Sequence, residues 1–402
     1  MRKKKLLMLG GADIQVSAIK KAKEMGVYVI TCDYLPDNPG HLCSDEYYNV
    51  STTEKEAVLE LAEKLKIDGI LAYASDPAAP TAAFVAEKLG LPTNPYSVVK
   101  TLSRKDLFRV FMEENGFKVP KSKSCKNFEE AKQFFSLINK KVIIKPVDSS
   151  GSKGIYVLNS ENDLATYFDK SMSFSKVGII ILEEFIDKKG FQIGGDGFII
   201  DGNLVFRCFG DIHFSKVNPL LPCSVSFPTL HDLKTTRKVH DYVQKLLAVI
   251  GFKMGAVNFD ILVTNDDEIY ILEIGSRNGG NMIPEITEYC TGVNMIEYSI
   301  KTALGEDCSD LKMTYEKKYF SHYVVHCQES GTVKEIKKTN ILENHLLYEH
   351  FNFSLGDQVE KFHSSANRLG IFLLKFKNKE EMLNIIYSMK NHLKIILKSC
   401  KE

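Results

Sequence analysis

Val142-Ile143-Ile144-Lys145-Pro146-Val147-Asp148-Ser149-Ser150-Gly151-Ser152-Lys153-Gly154 is an apolar strand that ends in a lysine and runs straight into a loop of small residues. Serine and glycine let successive backbone N–H groups turn toward one concavity, and a lysine at its root offsets the charge of bound phosphate oxygens. This is not a Walker A loop, because the lysine precedes the glycines and no Gly-Lys-Ser/Thr follows. A surface hairpin turn explains the glycines equally well, so the loop decides nothing without its neighbours.

Upstream, residues 1 to about 100 alternate between strand and helix patterns, with strands at Leu6–Leu9, Val27–Cys32 and Gly69–Ala72. That alternation predicts a doubly wound α/β unit. Thr53 and Glu56 are spaced as a capping box, and Val58, Leu61, Ala62 and Leu65 then share one helical face. Gly10-Gly11 and Asp33 suggest a dinucleotide site, but the third glycine is missing and Asp13 would repel a pyrophosphate. Tyr73-Ala74-Ser75-Asp76-Pro77 ends the third strand, where open sheets bind ligands; Ser75 and Asp76 read as substrate contacts or as a helix N-cap ahead of Pro77.

Pro92-Thr93-Asn94-Pro95 marks a boundary. Lys105 follows near the start of a helix, where the dipole disfavours a cation unless an anion sits beside it. Val177–Leu182 is an apolar run continued by Glu183-Glu184-Phe185-Ile186. The two carboxylates mark either emergence into solvent or a hinge facing a nucleotide. A glycine-laden strand begins at Gly190 and turns at Asp201-Gly202-Asn203, and residues 213–228, with three prolines and little periodicity, predict a loop over a site.

The densest chemistry lies at 256–284. Ala256–Leu262 alternates like a strand, Asn265–Glu268 is a turn, and Ile269–Ile274 returns, which brings Asp260 toward Glu273. Two hard oxygen ligands that leave open positions suit a magnesium ion shared with a nucleotide, or equally a surface hairpin with salt bridges. Arg277 follows in Gly275-Ser276-Arg277-Asn278-Gly279-Gly280-Asn281 and can form a bidentate contact with phosphate or carboxylate. Beyond about 310, strand-like Phe320–Cys327 and Leu369–Phe376 precede a helix with Met382, Ile385, Ile386 and Met389 on one face, with no catalytic constellation.

Composition narrows the partners. With 52 basic and 51 acidic residues the net charge is +1, which gives no electrostatic case for nucleic acid or an anionic membrane and favours small molecules. Nine widely spaced cysteines without a Cys-x-x-Cys pair indicate neither a disulfide framework nor a thiolate zinc site and fit a reducing cytoplasm. The basic start Arg2–Lys5 imitates a signal peptide, but its apolar run stops at Gly10, so it reads as a first strand.

Taken together, these motifs resemble the ATP-grasp superfamily, in the branch with the carbamoyl-phosphate synthase large subunit, biotin carboxylase and the amino-acid ligases. The resemblance rests on the order and spacing of several weak motifs. It implies an N-terminal α/β domain at 1–100, an ATP-grasp domain at 101–308 with an ATP-binding lid at about 120–185, and a small C-terminal α+β domain at 309–402. It implies ATP and Mg²⁺ (or Mn²⁺) as cofactors. Lys105 and Lys145 match the two phosphate-binding cations, and Ser149, Ser150, Gly151, Ser152 and Gly154 match the closing loop. Glu183, Glu184, Phe185 and Ile186 resemble the adenine hinge, with the Glu184 carbonyl and Ile186 N–H facing the base, and Gln192 falls where a glutamate usually meets the ribose. Asp260 and Glu273 match the metal ligands and Arg277 the arginine beside the transferred phosphoryl group. Gly275 stands where asparagine is usual, with Asn278 as a substitute oxygen ligand.

The implied activity is an ADP-forming carboxylate–amine or carboxylate–thiol ligase that works through an acyl phosphate of a small acid such as an amino acid. The acceptor site is expected between Ser75, Asp76, Arg277, Gly279, Asn281 and the 213–228 loop. An ATP-dependent phosphotransferase and a nucleotide-binding regulatory protein are the alternatives. The resemblance is also compatible with a homodimer.

Overall fold

The computed structural model describes residues 2–138, 140–314 and 318–398. Cys400, the ninth cysteine, lies outside the described residues, and the other eight are thiols rather than disulfides.

The N-terminal unit is a parallel sheet of β1 (Lys5–Leu9), β2 (Tyr28–Cys32), β3 (Glu46–Tyr48) and β4 (Gly69–Leu71) in the order β3-β2-β1-β4. Helices cover both faces because β1 and β2 are apolar on both sides: Leu6 to Leu9 and Val29 to Cys32 are all buried. β3 was not expected from the sequence, since its three residues are each only half-buried and give no apolar run. Helix Lys55–Leu65 buries Val58, Leu61 and Ala62, as its periodicity predicts. Its expected capping box does not form. Glu54 occupies the N-cap without a side-chain bond, and the Thr53 hydroxyl lies 3.2 Å from that of Ser51.

A second sheet comprises β5 (Ser122–Cys125), β6 (Val142–Pro146), β7 (Tyr156–Leu158) and β8 (Ile180–Glu184), antiparallel in the order β5-β8-β6-β7. Two capped helices, Phe128–Leu137 and Glu161–Met172, back it. Their apolar faces close a core of Ala131, Val142, Ile144, Leu164, Phe168, Ile180 and Leu182.

The central sheet begins with β9 (Gln192–Ile200), β10 (Asn203–Phe214), β11 (Pro222–Phe227), β12 (Gly255–Val263), β13 (Ile269–Gly275) and β14 (Tyr319–Val325). Then follow β15 (Gly331–Lys338), β16 (Leu346–Phe351), β17 (Gln358–Val359), β18 (Gly370–Phe376) and β19 (Leu393–Lys398). Eight of these form one sheet in the order β13-β12-β9-β10-β11-β14-β18-β16, and β17-β15-β19 make a small sheet beside it. Strands from the C-terminal segment therefore continue the sheet that carries Asp260 and Glu273. Helix Leu233–Ile250 seals one face with Val239, Val243, Leu246 and Leu247 against Ile193, Phe259 and Ile261. Helix Ile283–Thr291 packs Ile283, Ile286 and Cys290 with Ile212, Val225 and Ala256.

The long loop expected at 213–228 is mostly strand. β10 runs to Phe214 and β11 starts at Pro222, so only 215–221 connects them. Pro222 begins a strand and Pro228 follows its end, positions where a missing N–H removes no ladder bond, and the prolines therefore misled the sequence reading.

Candidate active site

Helix Lys105–Glu114 starts at the lip of the cleft between the second sheet and the central sheet. Lys105 Nζ donates to the Ser149 carbonyl at 2.7 Å and lies 3.6 Å from Glu273 Oε2. The cation disfavoured by the helix dipole is thus matched by a carboxylate and a carbonyl. The loop after β6 uses the left-handed region at Gly151 (φ +67°) and Gly154 (φ +72°), and Ser152 between them is also left-handed. Ser152 Oγ donates to the Leu220 carbonyl at 3.2 Å, which ties the loop to the 215–221 connection.

Asp260 and Glu273 are directly opposite each other in the β12–β13 ladder, as the hairpin pattern predicts. Paired residues project to one face of a sheet, so the two carboxylates share a site. Burial and then the Glu273 charge push the Asp260 carboxyl up to about 6. A buried carboxylate opposed by a neighbouring one fits a divalent cation, which would relieve the repulsion. Among the described residues no group of three or more His, Cys, Asp or Glu side chains could hold a metal by itself. The other ligands would be phosphate and water oxygens.

Several expected roles change. The Gln192 amide donates to Asp260, so in this structure it is a partner of the metal-site carboxylate and is not turned to a ribose. Asn278 is 1% exposed, its Oδ1 accepts from Ser299 Oγ at 2.8 Å, and its Nδ2 has no partner among the described residues. It faces the helix Met295–Ala303 and is withdrawn from the metal position. Glu183 does not emerge into solvent, and its carboxylate is taken up within the protein. It is 1% exposed, and its carboxylate lies between Arg109 Nε (2.7 Å) and Lys145 Nζ (2.6 Å). Burial opposes its charge, and the two cations outweigh burial and hold it well below the usual carboxylate range. In the hinge itself, Glu184 N–H donates to the Lys121 carbonyl and Phe185 N–H to that of Lys141.

At the acceptor end, neither Ser75 nor Asp76 caps a helix: the next one starts at Ala79 with Ala78 as N-cap. Asp76 instead accepts from Arg277 Nε and Nη2, each at 2.7 Å. Gly279 N–H donates to both oxygens of Asp196 at 2.9 Å, and Asn281 Oδ1 accepts from Arg368 Nη1 at 3.0 Å. These two expected substrate contacts are engaged within the protein. Arg368 also pairs with Asp13, the residue that argued against a pyrophosphate at the first helix.

Asp76, Lys105, Ser149, Ser150, Glu273 and Gly275 border one hollow of about 240 Å³. A larger hollow, of about 590 Å³, opens near Arg207, Phe227 and Tyr319, but its described lining holds no carboxylate, so chemistry and not size identifies the site. Sequence reasoning missed Arg109, Asp196 and Arg368. Arg109 carried a signal, being one helical turn after Lys105; Asp196 and Arg368 carried none, because their partners are 83 and 355 residues away.

Residues 104–311 match the family described as carbamoyl-phosphate synthase L chain, ATP binding domain. The chain belongs to this family. It is an ATP-grasp protein, and the carbamoyl-phosphate synthase-like branch expected from the motifs is the one found. Among curated relatives, a formate-dependent phosphoribosylglycinamide formyltransferase of a Nitratiruptor species is 30% identical over 190 residues, which cover 46% of this chain and 48% of the relative. A carbamoyl phosphate synthase large chain of Clostridium botulinum is 22% identical over 331 residues, 77% of this chain and 30% of the relative. The chain thus spans about half the length, or less, of these relatives.

The fold is shared along nearly the whole chain with solved structures. An L-amino acid ligase from Bacillus licheniformis superposes with a TM-score of 0.83 at 20% identity, covering 99% of this chain and 100% of that one. A phosphoribosylglycinamide synthetase from Anaerococcus prevotii gives 0.76 at 22%, again with 99% and 100% coverage. The ATP-grasp architecture is therefore the arrangement seen here, a parallel N-terminal sheet followed by two antiparallel sheets that face one cleft. Among the described residues no helix is long and apolar enough to cross a membrane.

Proposed function

We propose that the chain is an ATP-dependent, ADP-forming ligase that phosphorylates a small carboxylic acid, an amino acid being the leading candidate, and joins the acyl group to an amine. The observation that carries this is the hollow on which Lys105, the Ser149–Ser150 loop, Glu273 and Asp76 converge from four separate segments. In this reading Lys105 and Lys145 hold ATP phosphates, and the 149–154 loop closes over them to exclude water. Asp260 and Glu273 would hold Mg²⁺, which supplies charge neutralisation when bound. Arg277, fixed by Asp76, stabilises charge on the transferred phosphoryl group. The carboxylate attacks the γ-phosphorus, ADP leaves, and the amine then displaces phosphate from the acyl phosphate.

No side-chain nucleophile is required. This agrees with thiols that burial pushes up, as at Cys32 and Cys223 to about 12, away from the reactive range. The likeness to an L-amino acid ligase over 99% of the chain supports an amino acid as the acid.

The test is incubation with Mg-ATP, hydroxylamine and a panel of carboxylic acids, with hydroxamate and ADP read together. Acid-dependent hydroxamate with matching ADP is expected. ADP and a stable phosphorylated product without hydroxamate would instead establish a phosphotransferase. Neither product, in a protein that binds MgADP, would move the assignment to a regulatory nucleotide-binding role.

A further inference from the structure

The cleft contains a buried chain of charge of which the proposed chemistry uses only Lys145. Arg109, Glu183 and Lys145 are 3%, 1% and 7% exposed. The Glu183 carboxylate is shared, with Oε1 accepting from Arg109 Nε at 2.7 Å and Oε2 from Lys145 Nζ at 2.6 Å. The same guanidinium donates through Nη2 to the Leu272 carbonyl at 2.8 Å and through Nη1 to the Ile271 carbonyl at 3.4 Å. Those carbonyls immediately precede Glu273 on β13. One side chain therefore bridges the two walls of the cleft, the second sheet that carries Lys145 and the central sheet that carries Glu273.

The charge count gives this bridge a consequence. Two cations and one carboxylate leave the cluster with one net positive charge, and the arginine cannot shed its proton. With Glu183 and Lys145 alone the cluster would be neutral, and at 2.6 Å in a water-poor interior the carboxylate would cancel most of the field that Lys145 presents to a phosphate.

We propose that Arg109 is a positioning residue for nucleotide binding: it occupies half of the Glu183 carboxylate so that Lys145 keeps its positive field toward the phosphates, and it fixes Glu273 through the Leu272 carbonyl. The proposal rests on the cleft being the nucleotide site. It assigns Arg109 an electrostatic task that packing alone would not give it.

The experiment is MgADP affinity by calorimetric titration on the full chain, with thermal unfolding as a check on folding. Arg109→Met is expected to weaken binding ~10-fold or more, and Arg109→Lys, which keeps the charge, to stay within about 3-fold of wild type. The double variant Arg109→Met/Glu183→Gln restores one net positive charge and is expected to recover most of the lost affinity. A role confined to packing predicts no such recovery. Wild-type affinity in Arg109→Met, or a double variant as weak as Arg109→Met, would overturn the proposal. If Arg109→Met does not fold, Glu183→Gln alone decides: it raises the net charge and is expected to bind MgADP more tightly than wild type, and equal or weaker binding overturns the idea. Failure of the wild-type protein itself to bind MgADP is a different result, which removes the nucleotide assignment beneath the proposal.

Discussion

Arg277 and Asp76, 201 residues apart in the chain, form a two-pronged ion pair in which Nε and Nη2 each lie 2.7 Å from a carboxylate oxygen. Burial opposes the Arg277 charge, and the Asp76 carboxylate more than offsets it. The pair fastens the N-terminal unit to the loop after β13. Removing one partner of a buried pair leaves an uncompensated charge, whereas removing both does not. Asp76→Asn should therefore lower stability by ~2–3 kcal/mol in urea titration, and Asp76→Asn/Arg277→Gln should regain part of that loss. A single variant as stable as wild type would contradict the pair's structural role.

Asp196 provides a pH test. It is fully buried, and burial pushes its carboxyl up to about 6 despite bonds from Gly279 N–H and the Asn258 amide. A folded-state pKa above the unfolded value means that the charged form costs stability. That cost is fully present above pH ~6 and is relieved as pH falls toward ~4. Asp196→Asn keeps an oxygen acceptor and removes the charge. Its stability relative to wild type should be most favourable at pH ~7.5 and should decline between pH ~6 and ~4, by on the order of 2–3 kcal/mol in all. A pH-independent difference in melting temperature would show that Asp196 does not carry the shift.

Asn278 tests the metal assignment by exclusion. Its Oδ1 is held by Ser299, and both side chains are buried. Asn278→Ala should cost ~1–2 kcal/mol of stability and leave the Mg²⁺ concentration for half-maximal ADP formation unchanged. Glu273→Gln should abolish Mg²⁺-dependent ADP formation while the protein stays folded. A shift of the Mg²⁺ midpoint in Asn278→Ala would return it to the metal site.

Gln192 is the donor beside Asp260. Gln192→Glu removes that donor and sets a carboxylate against one already opposed by burial and by Glu273. The variant should lose ~1–3 kcal/mol at pH ~8 and less at pH ~5.5, where the two carboxyls can share a proton. Thermal denaturation at the two pH values measures the difference. An equal loss at both would rule out carboxylate repulsion.

Local pattern carried much of the architecture. Runs such as Leu6–Leu9 and Val142–Ile144, the helical face of Val58, Leu61 and Ala62, and the hairpin turn at 265–268 each express a period or a turn chemistry that residues within about ten positions determine. For the same reason the pairing of Asp260 with Glu273 was legible: a short turn fixes register, and register fixes which side chains share a face. The boundaries that failed, at Thr53 and at 213–228, were those where a cap or a proline can be satisfied in more than one way.

By itself the sequence thus determined the alternating N-terminal unit, the lysine-rooted glycine loop and the carboxylate hairpin, because helical periods, turn residues and hairpin register are local. Only the tertiary structure decided where the long polar side chains end. Glu183 turns inward to Arg109 and Lys145, Asn278 to Ser299, and Asp76 to Arg277, because a buried polar group must find its partner wherever the packed chain supplies one. Such partners lie 21 to 201 residues away, and no spacing along the chain encodes them.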